Sequence, residues 1–167
     1  MRHAAAIAWL SLRWLAVVCD GLQWFYETLD AIVSLRFLLL QTMRKEFPFE
    51  KLEVWQDARK LVRSVYQCAE VFPSTERFGL TSQITRAAVS VANNLAEGSG
   101  RSSLKDQAHF SSQAYSSLME TACDLILSND LGFTSGDSTD PILNQAYDLS
   151  VRIHNLRESQ LRRATQA

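Results

Sequence analysis

This chain has few of the residues that interrupt helices. Its 167 residues include six glycines and three prolines, too few for a turn-rich all-β fold, so long helices are expected. Neither charge dominates: 17 Lys and Arg against 18 Asp and Glu leave a net charge of −1. The strong positive footprint usual in nucleic-acid binders is therefore missing from the totals. Cysteine is scarce and odd in number, at Cys19, Cys68 and Cys123. Two of the three fall inside helical apolar patterns, and buried free thiols in a reducing, cytoplasmic setting are expected.

Catalytic signatures are missing as well. His3, His109 and His154 stand alone, and no Glu is followed by His three residues later, as a di-iron bundle requires. Neither Cys nor His shows zinc spacing. There is no Gly-x-Ser-x-Gly turn and no phosphate-binding glycine loop. No cofactor, metal or small-molecule substrate is expected, and a site assembled between subunits is the only enzymatic alternative.

Residues 1–42 differ in composition from the rest. Ala4 to Leu12 is apolar, but Arg13, Asp20, Glu27, Asp30 and Arg36 interrupt the aliphatic and aromatic run that follows. No stretch reaches the roughly 18 uninterrupted apolar residues of a membrane span, and Val17-Val18-Cys19 makes a poor cleavage site. A membrane or export role is disfavoured. The segment reads as an added helical hairpin or, in the preferred reading, as upstream translated sequence ahead of a natural start at Met43. A chain beginning there is expected to fold and assemble without it.

From Phe49 onward the periodicity predicts four amphipathic helices. The first spans about Phe49 to Val71, with Leu52, Trp55, Val62, Val65, Ala69 and Phe72 on one face, and Pro73 stops it. Pro73-Ser74-Thr75-Glu76 forms a turn that caps the second helix, which ends in a left-handed turn at Gly98 and Gly100. Ser103 and Asp106 open the third, which carries Leu104, Ala108, Tyr115, Leu118, Ala122 and Leu125 and closes at Leu131-Gly132. A polar loop over Thr134 to Thr139 leads to Asp140-Pro141, read as N-cap and first helical residue. The fourth helix buries Ile142, Leu149, Ile153 and Leu156. Short connections favour an all-α, antiparallel up-down-up-down bundle over residues 43–160, with a polar tail at 161–167.

The second helix carries two seams. Leu80, Ile84, Ala88, Val91 and Leu95 fall within roughly 80° of one another on a helical wheel. Gln83, Arg86, Ser90, Asn94 and Glu97 form a polar stripe about 120° away. Surface helices normally show Lys and Glu on their wet face, so Gln, Ser and Asn here suggest a specific polar contact.

Several segments resemble the four-helix-bundle family of bacterial 23S rRNA intervening-sequence proteins: Phe49-x-x-Leu52-x-Val54-Trp55, Phe72-Pro73, Glu76-Arg77-Phe78-Gly79-Leu80-x-x-Gln83, Arg86-Ala87-Ala88-x-Ser90 and Asn94-Leu95-Ala96-Glu97-Gly98, with Tyr66 and Asp130-Leu131-Gly132. The likeness is close over Phe49 to Gly132 and looser in the fourth helix. It implies a four-helix bundle assembling as a homopentamer. The broader group includes accessory proteins of diversity-generating retroelements, which partner a reverse transcriptase and its RNA.

Two readings of the polar stripe follow. In one, Gln83, Arg86, Ser90, Asn94 and Glu97 form a subunit interface or a polar network whose groups demand exact partners. In the other, Arg77, Arg86, Arg101 and Lys105 contact RNA phosphates or base edges. A plain ion pair is the simplest role for Glu97, one helical turn from Arg101. The expected protein is a non-catalytic, oligomeric binding or scaffold module whose partners are itself and RNA or a reverse-transcriptase-like protein. The alternative is a purely structural protein–protein module.

Overall fold

A computed structural model of the chain describes residues 44–166, and from residue 46 on they lie within one compact unit, Glu46–Ala167. The expectations for residues 1–42 fall outside the described residues. A 3-10 turn at Pro48–Lys51 leads into α1 (Glu53–Ala69). A second, at Ser74–Phe78, leads into α2 (Leu80–Ser99), followed by α3 (Leu104–Asp130) and α4 (Gly136–Gln166). Each helix packs on its sequence neighbours and α1 closes against α4, so the four stand in a square with α1/α2 opposite α3/α4. Arg152 meets Asp57 while Gln145 meets Ser64, which sets α1 and α4 antiparallel. The all-α up-down-up-down bundle is the observed fold.

The core is aliphatic. Leu61, Val65, Ile84, Val91, Leu118, Leu125, Leu149 and Ile153 are buried at its centre, each removing apolar surface worth about 1.5–3 kcal/mol from water. The faces differ in places from those expected. On α1, Ala58, Leu61 and Cys68 are buried while Trp55 and Val62 are half-buried at the edge. On α3, Tyr115 lies at the surface and Cys123 is exposed rather than buried. The inner face of α3 is instead completed by Ser111, Ala114, Thr121, Asp124 and Ser128. Small polar residues hide this face from a purely hydrophobic reading. Ser111 Oγ donates to Gln160 Oε1 at 2.8 Å, and Ser128 Oγ to the Leu125 carbonyl at 2.7 Å.

The termini show which caps the sequence carries. Glu76 accepts a bond from the Leu80 N–H at 3.1 Å and so caps α2, as the turn sequence suggests. Ser103 caps α3 by accepting from Asp106 N. Gly132, at φ 74°, ends α3, with Gly132 N bonded to Asn129 O and Phe133 N to Ser128 O, a Schellman turn that needs the left-handed region. Gly100 differs from expectation: its φ is −85°, so α2 ends without a left-handed turn. Gly98 lies inside α2, buried, where a Cβ would stand 2.9 Å from Phe110 Cβ. That glycine serves a close helix–helix approach.

α4 begins a turn earlier than expected. Ser135 O accepts from Ser138 N and Thr139 N, and Thr139 is buried, so the later part of the supposed loop, from Gly136, is the first helical turn and Pro141 sits inside the helix. At the other end α4 runs to Gln166, through most of the stretch expected to be a polar tail. The Gln160 bond to Ser111 anchors it there.

Candidate functional site

The polar stripe of α2 divides in two. Ser90 and Asn94 are half-buried and tied to the α2/α3 contact, whereas Gln83, Arg86 and Glu97 are exposed. The Ser90 and Ser117 hydroxyls share a hydrogen bond of 3.0 Å between the helices. Asn94 Nδ2 donates to Ser90 O at 2.8 Å and Ser90 Oγ at 3.1 Å, and Thr121 continues the chain by donating to Ser117 O at 2.9 Å. Bonds that satisfy groups removed from water keep α2 and α3 in one register.

Glu97 pairs with Arg101 one turn on. The Arg101 guanidinium lies 4.6 Å over the Phe110 ring, and Gln107 Nε2 donates to the Arg101 carbonyl at 2.8 Å. This cation is therefore already matched and fastens the α2–α3 turn. Lys105, exposed, begins α3 beside it. Arg77 lies at the opposite end of α2, over the 89%-exposed Phe78 at 5.6 Å. A 20-residue helix is about 30 Å long, so Arg77 is far from Arg101 and Lys105, and Arg86 lies between. The four cations named from the sequence do not form one cluster.

A different cationic surface lies along the α1/α2 groove. Trp55, Arg59, Val62, Arg63 and Tyr66 line its α1 side, and Ser82, Thr85, Arg86, Val89 and Asn93 continue it on α2. Arg59 sits 6.0 Å over the Trp55 ring, a cation–π contact worth about 0.5–1 kcal/mol at an exposed site. Glu46 and Glu50 occupy the far end of the groove. Sequence reasoning missed Arg59 and Arg63, although Trp55, Arg59, Arg63 and Tyr66 recur at steps of four, four and three. That is the signature of a basic, aromatic helical stripe.

The opposite side of the bundle is apolar and acidic. On α3, Tyr115, Met119 and Ile126 are 37–50% exposed; on α4, Tyr147 and Val151 are 70% and 46% exposed. No Lys or Arg occurs between Lys105 and Arg152, while Glu120, Asp130, Asp137 and Asp140 are exposed along the same stretch. Monomers rarely leave large contiguous apolar patches in water.

Two titratable groups are perturbed. Burial pushes the Cys68 thiol up. Asp124 is buried on α3, and Oδ2 has no hydrogen-bond partner among the described residues; burial, then the nearby Glu120 carboxylate, raise its carboxyl above the usual range. His109 and His154 are exposed. Among the described residues no three His, Cys, Asp or Glu gather as a metal site, and no helix is long and apolar enough to cross a membrane.

A search of curated proteins finds no match. A family model described as 23S rRNA-intervening sequence protein matches residues 50–155, the span that holds α1, α2, α3 and most of α4 with both surfaces described above. The motifs, the square four-helix bundle and this match agree: the chain belongs to the 23S rRNA-intervening sequence protein family.

Proposed function

We propose that this protein is a non-catalytic, self-associating helical scaffold, assembled as a homopentamer, that engages RNA or an RNA-handling protein such as a reverse transcriptase. The exposed apolar set Tyr115, Met119, Ile126, Tyr147 and Val151 carries the self-association reading. In a lone chain these side chains leave apolar surface in water at about 25 cal/mol per Å². Pentameric assembly is what the resemblance to the family implies. The test is the mass of the chain in solution, by light scattering across a range of protein concentrations.

The RNA contact is the weaker half of the reading. Arg77, Arg86, Arg101 and Lys105 are spread along α2 and its flanking turns, and Arg101 is paired with Glu97. Binding then depends on repetition around an assembly and falls steeply with salt. Titrating a structured RNA at low and high salt tests it. Tight binding that persists at high salt contradicts the electrostatic basis. The acid-rich α3/α4 side favours the second reading, a protein–protein module, if no RNA binds even at low salt.

A further inference from the structure

We infer that copies of this chain dock head to tail, the apolar, acidic α3/α4 face of one entering the basic, aromatic α1/α2 groove of the next. The inference rests on the self-association proposed above and names the two surfaces that meet. Those surfaces lie on opposite sides of the square bundle, so each copy presents both at once. One is apolar with exposed carboxylates, Tyr115, Met119 and Ile126 flanked by Glu120, Asp130 and Asp140. The other is a groove on α1 in which Trp55 and Tyr66 bracket Arg59 and Arg63, joined at Tyr66 to the α2 surface that carries Arg86.

Charge selects this pairing over its rivals. α3 after its first turn and the first half of α4 carry no cation, because none occurs between Lys105 and Arg152; Arg157 lines the α3/α4 groove beside Tyr115 and is paired with Glu158. Two such faces brought together would oppose carboxylate to carboxylate, and two grooves would oppose guanidinium to guanidinium; both arrangements are disfavoured by like charge. Arg63 and Arg86 have no ion pair among the described residues, and neither do Glu120, Asp130 and Asp140, so all five are free to pair across a contact. The carboxylates Glu46 and Glu50 sit at the far end of the groove and leave its Arg63–Arg86 section as the basic part. Aromatic and Arg side chains are the residue types that anchor protein interfaces. A contact between two different faces propagates, closing into a ring when the rotation allows.

Two double variants test the pairing. Arg63→Glu/Arg86→Glu reverses the groove, and Ile126→Lys/Asp130→Lys places cations on the opposite face; all four positions are exposed. Circular dichroism establishes that each remains helical, and Met119→Lys reports on the α3/α4 face from mid-helix should the Asp130 change disturb the end of α3. The expected result is at least tenfold weaker assembly of each double variant alone. An equimolar mixture should recover assembly, because the intact acidic face of the first variant fits the intact basic groove of the second, and the reversed groove and reversed face are again opposite in charge. Helical variants that assemble like the unchanged chain, or a mixture that stays monomeric, overturn the pairing while leaving self-association intact. An unchanged chain that is itself monomeric overturns self-association, and the pairing with it.

Discussion

Ser90 on α2 and Ser117 on α3 share a hydrogen bond of 3.0 Å across the helix contact, and Asn94 backs it by donating to Ser90. These residues should therefore act as one unit. Asn94→Leu is expected to lower stability by a few kcal/mol or to change the oligomer, because it removes both Asn94 bonds to Ser90 from the half-buried α2/α3 contact. In a double-mutant cycle with Ser117→Ala, a coupling of roughly 0.5–1 kcal/mol is expected. Additive effects in chemical denaturation would mean the three groups do not form a network.

The glycines near the α2 terminus should respond in opposite ways. Gly98→Ala places a methyl group 2.9 Å from Phe110 Cβ, an atom fixed to the α3 backbone. Separating the helices should cost about 1–3 kcal/mol, more than the roughly 1 kcal/mol that alanine gains over glycine in a helix. Gly100→Ala meets nothing closer than 3.5 Å at a φ of −85° and should be neutral or mildly stabilising. Thermal melts of both variants check this; equal melting temperatures would remove the close-approach role of Gly98.

Asp124 gives the fold a pH dependence of known sign. Its carboxyl is raised in the folded chain, so the native state holds that proton more tightly than the unfolded state does. Its contribution is most favourable below the usual carboxylate pKa and is lost as pH rises through the raised value. Asp124→Asn should stabilise the protein at pH 7, on the order of 1 kcal/mol, by removing a buried unpaired charge. The gain should vanish in acid. A variant equally destabilised at both pH values would show that the carboxylate has a partner.

Residues 1–42 should be dispensable. The four apolar faces of α1 to α4 already close a core. A chain starting at Met43 should be as helical and as assembled as the full chain, and more soluble. Aggregation, or a melting temperature many degrees lower, would make the leading segment part of the fold.

Much of this architecture is legible in the sequence because helix periodicity and punctuation are local. Leu131-Gly132 reads directly as a terminus, and Gly132 does adopt positive φ. Glu76 at the α2 entrance is equally readable. What escapes is whatever depends on a neighbouring helix. Tyr115 looks like core until α4 leaves it at the surface, while Ser111, Thr121 and Ser128 look like solvent-facing residues until bonds within the bundle satisfy them. Thr134 to Thr139 reads as loop because its serines and threonines can satisfy backbone groups in either state; from Gly136 on it is helix, with Thr139 buried. The candidate surfaces were half visible. The α2 stripe stood out by its unusual residue types, but its division into a network with α3 and an exposed row required Ser117. The run without Lys or Arg and the Trp55-to-Tyr66 stripe are both plain in the sequence, yet their placement on opposite sides of the bundle is a property of the fold.

The solution mass of the full chain, measured by multi-angle light scattering over a wide concentration range, bears most directly on a self-associating scaffold. The expected result is a single species at five times the 18.9 kDa mass of the chain, weakening as salt rises and charge pairs are screened. A species that stays at 18.9 kDa at every concentration would contradict it.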